Sequence, residues 1–66
     1  MIQKFEYDPK RRILSVWLLP SGRRYDYHEV PADTFENFKS AFAKGKFFNA
    51  FIRNQFAFRI GDTRDP

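Results

Sequence analysis

Ser15, Asp26 and His28 come nearest in this chain to a hydrolytic set: a nucleophile, a carboxylate and a base that the carboxylate could orient. Lys46, Asn49 and Arg53 recur at i, i+3 and i+7. On a helix that spacing makes one polar stripe, and with Lys44 before it and Arg59 after it the stripe is suited to anions such as RNA phosphates. Trp17 is the only tryptophan. With Leu19 and Ile13 it offers apolar area to another protein or a second copy, or a ring on which an unpaired base can stack. Tyr25 and Tyr27 are further stacking candidates.

What these residues can do depends on the elements that carry them. Phe5 and Tyr7 alternate with Ile2, Lys4 and Glu6, which predicts a first strand ended by Asp8-Pro9 and the charged loop Lys10-Arg11-Arg12. Ile13–Leu19 is rich in β-branched and aromatic residues and reads as the second strand. Pro20-Ser21-Gly22-Arg23 is a turn in which Gly22 supplies a positive φ. Arg24–Val30 alternates again, and Pro31 ends it because proline cannot donate to a ladder. The period then changes to 3.6. Phe35, Phe38 and Phe42 predict a helix over Ala32–Ala43, with Asp33 and Glu36 in its first turn and Lys44-Gly45 closing it. Phe48, Phe51 and Ile52 predict a second helix over Lys46–Asn54. Phe56, Phe58 and Ile60 suggest a short extended return.

The expected fold is therefore α+β: a three-stranded antiparallel β-meander followed by two short helices packed on one face, with a short terminal strand as an optional addition. Residues 1–60 form the single domain, and 61–66 have nothing to bury and read as a flexible tail.

Register assigns faces. If Ser21-Gly22 are the two central turn residues, Leu14, Val16 and Leu18 lie beside Glu29, Tyr27 and Tyr25. If Tyr7 opposes Leu14, Phe5 lies beside Val16. Phe5, Tyr7, Leu14, Val16, Leu18, Tyr25 and Tyr27 then make one apolar floor beneath the helices. On the other face Trp17 stands between Lys4 and Asp26, Ser15 between Glu6 and His28, and Leu19 between Ile2 and Arg24. That face is open and mixed in charge, without the concave, water-restricted site and oxyanion donors that a triad needs. The expectation is a protein that is not an enzyme.

Composition narrows the rest. A chain of 66 residues forms one core, and here nine Phe, three Tyr and one Trp must supply it. With no cysteine and one histidine, neither disulfides nor a structural zinc site can help, and no metal or cofactor is expected. MIQKFEYDPK lacks the basic-then-apolar order of a secretory signal. The run Ile13–Leu19, broken by Ser15, is far short of the roughly 20 residues that span a bilayer. A soluble cytoplasmic protein is expected, with no membrane partner. The net charge of +4 suits an anionic partner and also favours solubility.

Tyr7-Asp8-Pro9, Leu14-x-Val16, Gly22, Tyr25-x-Tyr27 and Val30-Pro31, followed by Phe35, Lys44-Gly45-Lys46-Phe47-Phe48-Asn49, Ile52-Arg53 and Phe56-x-Phe58-Arg59, form a combined pattern. Across residues 2–60 it resembles the KTSC domain. Leu18 stands where that pattern has an aromatic and Phe47 where it has Tyr; both keep the apolar character. The family is named for its occurrence at the C-terminus of some lysyl-tRNA synthetases and also occurs as a stand-alone bacterial protein. The resemblance implies a domain of unestablished role, with RNA binding suggested by the synthetase association. The leading expectation is a small binding module for RNA through Lys44, Lys46, Asn49, Arg53 and Arg59. The rival is a protein-interaction or homodimer module centred on Trp17, Leu19 and Ile13.

Overall fold

Apolar alternation in the first half and helical spacing in the second produce two layers. The computed structural model describes residues 2–61. In chain order the elements are β1 (Ile2–Asp8), β2 (Ile13–Leu18), β3 (Arg23–Tyr27), α1 (Ala32–Ser40), α2 (Lys44–Phe47) running directly into a π-helical turn (Phe48–Ile52), and β4 (Phe58–Gly61). The α+β class is as expected, but the sheet has four strands rather than three. Their order is β1-β2-β3-β4, every neighbouring pair is antiparallel, and the helices lie in the chain between β3 and β4. The extended return is thus a true strand. Gly61 belongs to it, and the rest of the proposed tail lies outside the described residues.

Between β1 and β2 the register is the expected one, with Phe5 opposite Val16 and Tyr7 opposite Leu14. Between β2 and β3 it differs by two residues: Leu14 faces Tyr27, Val16 faces Tyr25, Ser15 faces Asp26 and Trp17 faces Arg24. The connection is longer than a two-residue turn. Leu19–Gly22 form the loop, closed by a 2.7 Å bond from the Gly22 N–H to the Leu18 carbonyl, with Gly22 at the expected positive φ of 74°. Because side chains alternate with period two, a slip of two keeps every residue on its face. One residue does change side. An irregularity between Ile2 and Lys4 sets Ile2 opposite Leu18 and turns it onto the core.

Leu14, Val16, Tyr27, Val30, Phe38, Phe48 and Ile52 form the buried core, with Phe5, Tyr7, Phe35, Phe47 and Phe56 packed against it. The helices depart from their expected bounds. α1 stops at Ser40 because Ala41 turns extended (φ −64°, ψ 135°), so Phe42 leaves the Phe35–Phe38 face and is fully exposed. Lys44 and Gly45 do not close α1; they open α2. Further on, the Arg53 N–H bonds to the Phe48 carbonyl at 2.8 Å, a five-residue step. That wider turn keeps Phe48 and Ile52 buried but leaves Phe51 more than half exposed, its ring 4.8 Å from that of Phe47.

Tyr27 is a titrating group within the buried core. Burial pushes its phenol above the usual tyrosine range, the Arg53 guanidinium pulls it partly back, and Tyr25 pushes it up again. A folded pKa above the unfolded value means that Tyr27's contribution to stability is complete below about pH 10. It is lost as pH rises through the folded value. Unfolding measured between about pH 9 and 12 should show an alkaline fall in the wild type that Tyr27→Phe lacks. The helix boundary makes a second prediction. In urea melts Phe38→Ala should cost about 3–5 kcal/mol, whereas Phe42→Ala should stay within about 0.5 kcal/mol; equal costs would restore a continuous helix through Ala43.

Candidate functional site

α2 and its π-helical extension cross the sheet from β1 toward β3. At one end Lys44 and Gly45 border a shallow groove of about 430 Å³ with Ile2, Gln3, Lys4 and Phe5. At the other, Phe48 packs edge-on against Tyr27 at 5.5 Å, and Arg53 is close enough to act on the Tyr27 phenol. Lys46, Asn49 and Arg53 are all exposed along this segment. Arg53 Nη1 donates to Asn49 Oδ1 at a long 3.4 Å, so the amide steadies the guanidinium without burying it. Lys44 is otherwise engaged: its Nζ donates to the Ala41 carbonyl at 3.2 Å, a favourable place for a cation just beyond the end of α1. Residues 44–53 contain no carboxylate. The ion pairs among the described residues, Arg11–Asp8, Arg24–Asp26 and Lys39–Glu36, all lie elsewhere.

Arg59 does not extend this stripe. It lies opposite Asp26 on the open face of the sheet, because β4 alternates and Phe58 takes the helix side. Arg23, Tyr25 and Tyr27 share that helix side with Phe58 and Ile60, which stand opposite Tyr27 and Tyr25. Phe58 lies 5.4 Å from Tyr27 and 5.6 Å from Tyr25 between ring centres. Yet Phe58 is 48% and Ile60 54% exposed. Sequence reasoning saw the alternation of Phe58 and Ile60 but not this surface. Their period was legible; their partner strand was not.

On the open face Trp17 stands between Lys4 and Arg24, not between Lys4 and Asp26. Lys4 Nζ sits 4.4 Å above the indole ring. The Arg24 side chain lies over Gly61, where a Cβ would overlap the guanidinium. Its Nε is 3.1 Å from Asp26 Oδ1 but lacks hydrogen-bond alignment, so the contact is an ion pair only. The same carboxylate oxygen accepts the Ser15 hydroxyl at 2.7 Å. The Ser15 hydroxyl therefore donates its hydrogen bond to Asp26 and not to an imidazole, and the buried His28 Nε2 has no partner. The three residues do not form a relay. Ile13 and Trp17 share the open face with Ser15 between them, Leu19 lies in the loop beyond the strand, and Ile2 faces the core. No group of three or more His, Asp or Glu side chains among the described residues is placed to hold a metal, and no helix among them is long and apolar enough to cross a membrane.

Comparison with known proteins agrees with this frame. The crystal structure of a KTSC domain protein from Yersinia pestis superposes with a TM-score of 0.87 at 36% identity, covering 92% of this chain and 84% of that one. A small protein of Tsukamurella paurometabola is 33% identical over 55 residues, which are 83% of this chain and 81% of that protein. A lysine–tRNA ligase of Nostoc punctiforme is 36% identical over 58 residues, 88% of this chain; the match spans only 10% of the ligase. The family profile described as KTSC domain matches residues 1–56. The chain belongs to the KTSC domain family.

Proposed function

We propose that this KTSC domain is a small non-catalytic binding module for RNA, held through the outer face of α2 and its π-helical extension. The observation that carries this reading is a run of cations, Lys46 and Arg53 with Lys44 behind them, on a segment that has no carboxylate to neutralise it. α1 is built differently: Asp33 and Glu36 accompany Lys39, which pairs with Glu36 at 3.7 Å. Exposed cations without carboxylate partners interact with a polyanion without first breaking an ion pair. Arg53 adds a planar fork suited to bidentate phosphate contact, and Asn49 Oδ1 orients it. The match to about a tenth of a lysine–tRNA ligase is consistent with an RNA partner. The non-catalytic part of the reading rests on the open face, where the Ser15 hydroxyl is committed to a hydrogen bond with Asp26 and not with His28.

Salt dependence tests it. If Lys44, Lys46 and Arg53 each meet a phosphate of a single strand, affinity should fall about 20-fold when salt is raised about fourfold, since the logarithmic slope is roughly −0.7 per contact. Lys46→Glu should weaken binding at low salt and flatten that slope by close to one contact. Absence of RNA binding tighter than about 10⁻⁴ M at low salt would overturn the proposal.

A further inference from the structure

Two side chains on the helix side of the sheet are apolar, exposed and unexplained by the core: Phe58 and Ile60. They occur there because the helices end their crossing over β3. Ile52 is buried, Phe56 is partly buried, and the chain then returns as β4 outside the helical cover. The strip they complete has a definite charge pattern. Along β3 it begins at Arg23, passes Tyr25 with Ile60 beside it, and reaches Tyr27 with Phe58 beside it. Arg53 lies at the Tyr27 end. Four residue steps of strand separate Arg23 from Tyr27, about 13 Å. The only acid on β3 or β4, Asp26, points to the opposite face and is taken up by Ser15 and Arg24. An exposed ring, Phe58, with exposed Ile60 beside it, backed by half-buried Tyr25 and buried Tyr27 and bracketed by arginines, with no carboxylate on that face of β3 or β4 among the described residues, is complementary to a ligand that carries planar apolar rings on an anionic backbone.

We infer that Phe58, supported by Tyr25 and Tyr27, is a stacking platform for an unpaired base, and that Arg53 and Arg23 hold the flanking phosphates. This rests on the RNA reading and deepens it: the preferred ligand is single-stranded, because a paired base cannot present its ring face to Phe58. The stripe and the platform meet at Arg53, so one strand can follow Lys46, Arg53 and Phe58 without leaving the surface.

A second copy of the chain is the competing occupant, since β4 is an edge strand. The ladder argues against it. The His28 N–H bonds to the Ala57 carbonyl, which by alternation turns the backbone groups of Phe58 and Ile60 outward. Antiparallel self-pairing that keeps both residues in the ladder sets Arg59 directly opposite its own copy, a like-charge pair.

The experiment titrates the whole chain with a short mixed-sequence single-stranded RNA and with the same strand annealed to its complement, at low salt. Wild type, Phe58→Leu, Phe58→Trp and Lys46→Glu are compared, with thermal melts to confirm folding and sedimentation to report association. The expected result is single strand bound more tightly than duplex. Phe58→Leu, which keeps apolar area but removes the ring, should weaken single-strand binding about tenfold and leave duplex binding unchanged. Phe58→Trp should retain it. Equal affinity for duplex and single strand, or a Phe58→Leu variant that binds like wild type, overturns the platform; a Lys46→Glu effect in the same series would leave the stripe standing. No binding by the wild type overturns both. A dimer that Phe58→Leu dissociates overturns the platform in favour of self-pairing.

Discussion

The Tyr7 hydroxyl donates to the Val30 carbonyl at 2.6 Å, and the Val30 N–H donates to the Arg12 carbonyl at 2.9 Å. Both polar groups of a fully buried residue are thereby satisfied, and the chain leaving β3 is tied to β1 and to the start of β2. The tie has a local cost. Arg12 and Glu29 take left-handed backbone, φ 58° and 59°, which disfavours a non-glycine residue by roughly 1–2 kcal/mol. Everything in the helical layer follows from where Val30 is held. α1 starts two residues later, which places Phe35 flat on Tyr7 (4.5 Å, 10°) and Phe38 edge-on against Phe5 at 4.7 Å. An aromatic helix face laid on an aromatic strand fixes the angle of α1 as well as its position.

That placement limits what the remaining chain can cover. α2 starts beside β1, because Lys44 reaches back to the Ala41 carbonyl and Gly45 lies by Phe5. From there about one and a half turns bring it to Tyr27. Phe48 and Ile52, four residues apart, point down together, while the π-helical widening turns Phe51 outward and Phe47 packs against the core. β4 receives no cover. The exposed rings at the sheet edge and the exposed cations on α2 are thus two results of one geometric fact: a two-helix layer narrower than the four-stranded sheet beneath it.

The faces of the sheet were legible in the sequence because they depend on parity alone. The expected β2–β3 register was wrong by two residues, yet Leu14, Val16, Tyr25 and Tyr27 stayed on the core side, and Ser15, Trp17 and Asp26 on the other. What parity does not carry is who stands next to whom. Loop length decides that, and Leu19–Gly22 closes with four residues where Ser21-Gly22 suggested two. So Asp26 became the partner of Ser15, and Arg24 that of Trp17. Helical periodicity has a similar blind spot: Phe42 and Phe51 fit a 3.6-residue stripe, but the stripe holds only while the backbone stays α-helical. It ends at Ser40 in one case and widens after Phe47 in the other. The cation stripe survived because exposed residues tolerate such changes, whereas Arg59 was lost from it because its face is set by β3.

Trp17 illustrates how the corrected neighbours alter a functional argument. Between Lys4 and Asp26 the indole would sit on a face of mixed charge, with the carboxylate beside it. Beside Arg24 and under Lys4 it is the centre of a self-contained arrangement: the Lys4 ammonium caps the ring, Arg24 spans Gly61 to reach Asp26, and Asp26 accepts from Ser15. Lys4, Arg24 and Asp26 are each already engaged there, so a ligand would have to displace a partner, and Glu6 and Arg59 on the same face offset one another in sign. The outer face of α2 is the reverse, since no carboxylate within residues 44–53 competes for Lys46 or Arg53. Exposed pairs are individually weak, but a face whose charges are mutually answered exerts little long-range pull on a polyanion, while an unanswered row exerts it at every approach. The difference between the two surfaces is therefore less one of residue type than of whether the fold has already used the charges it displays.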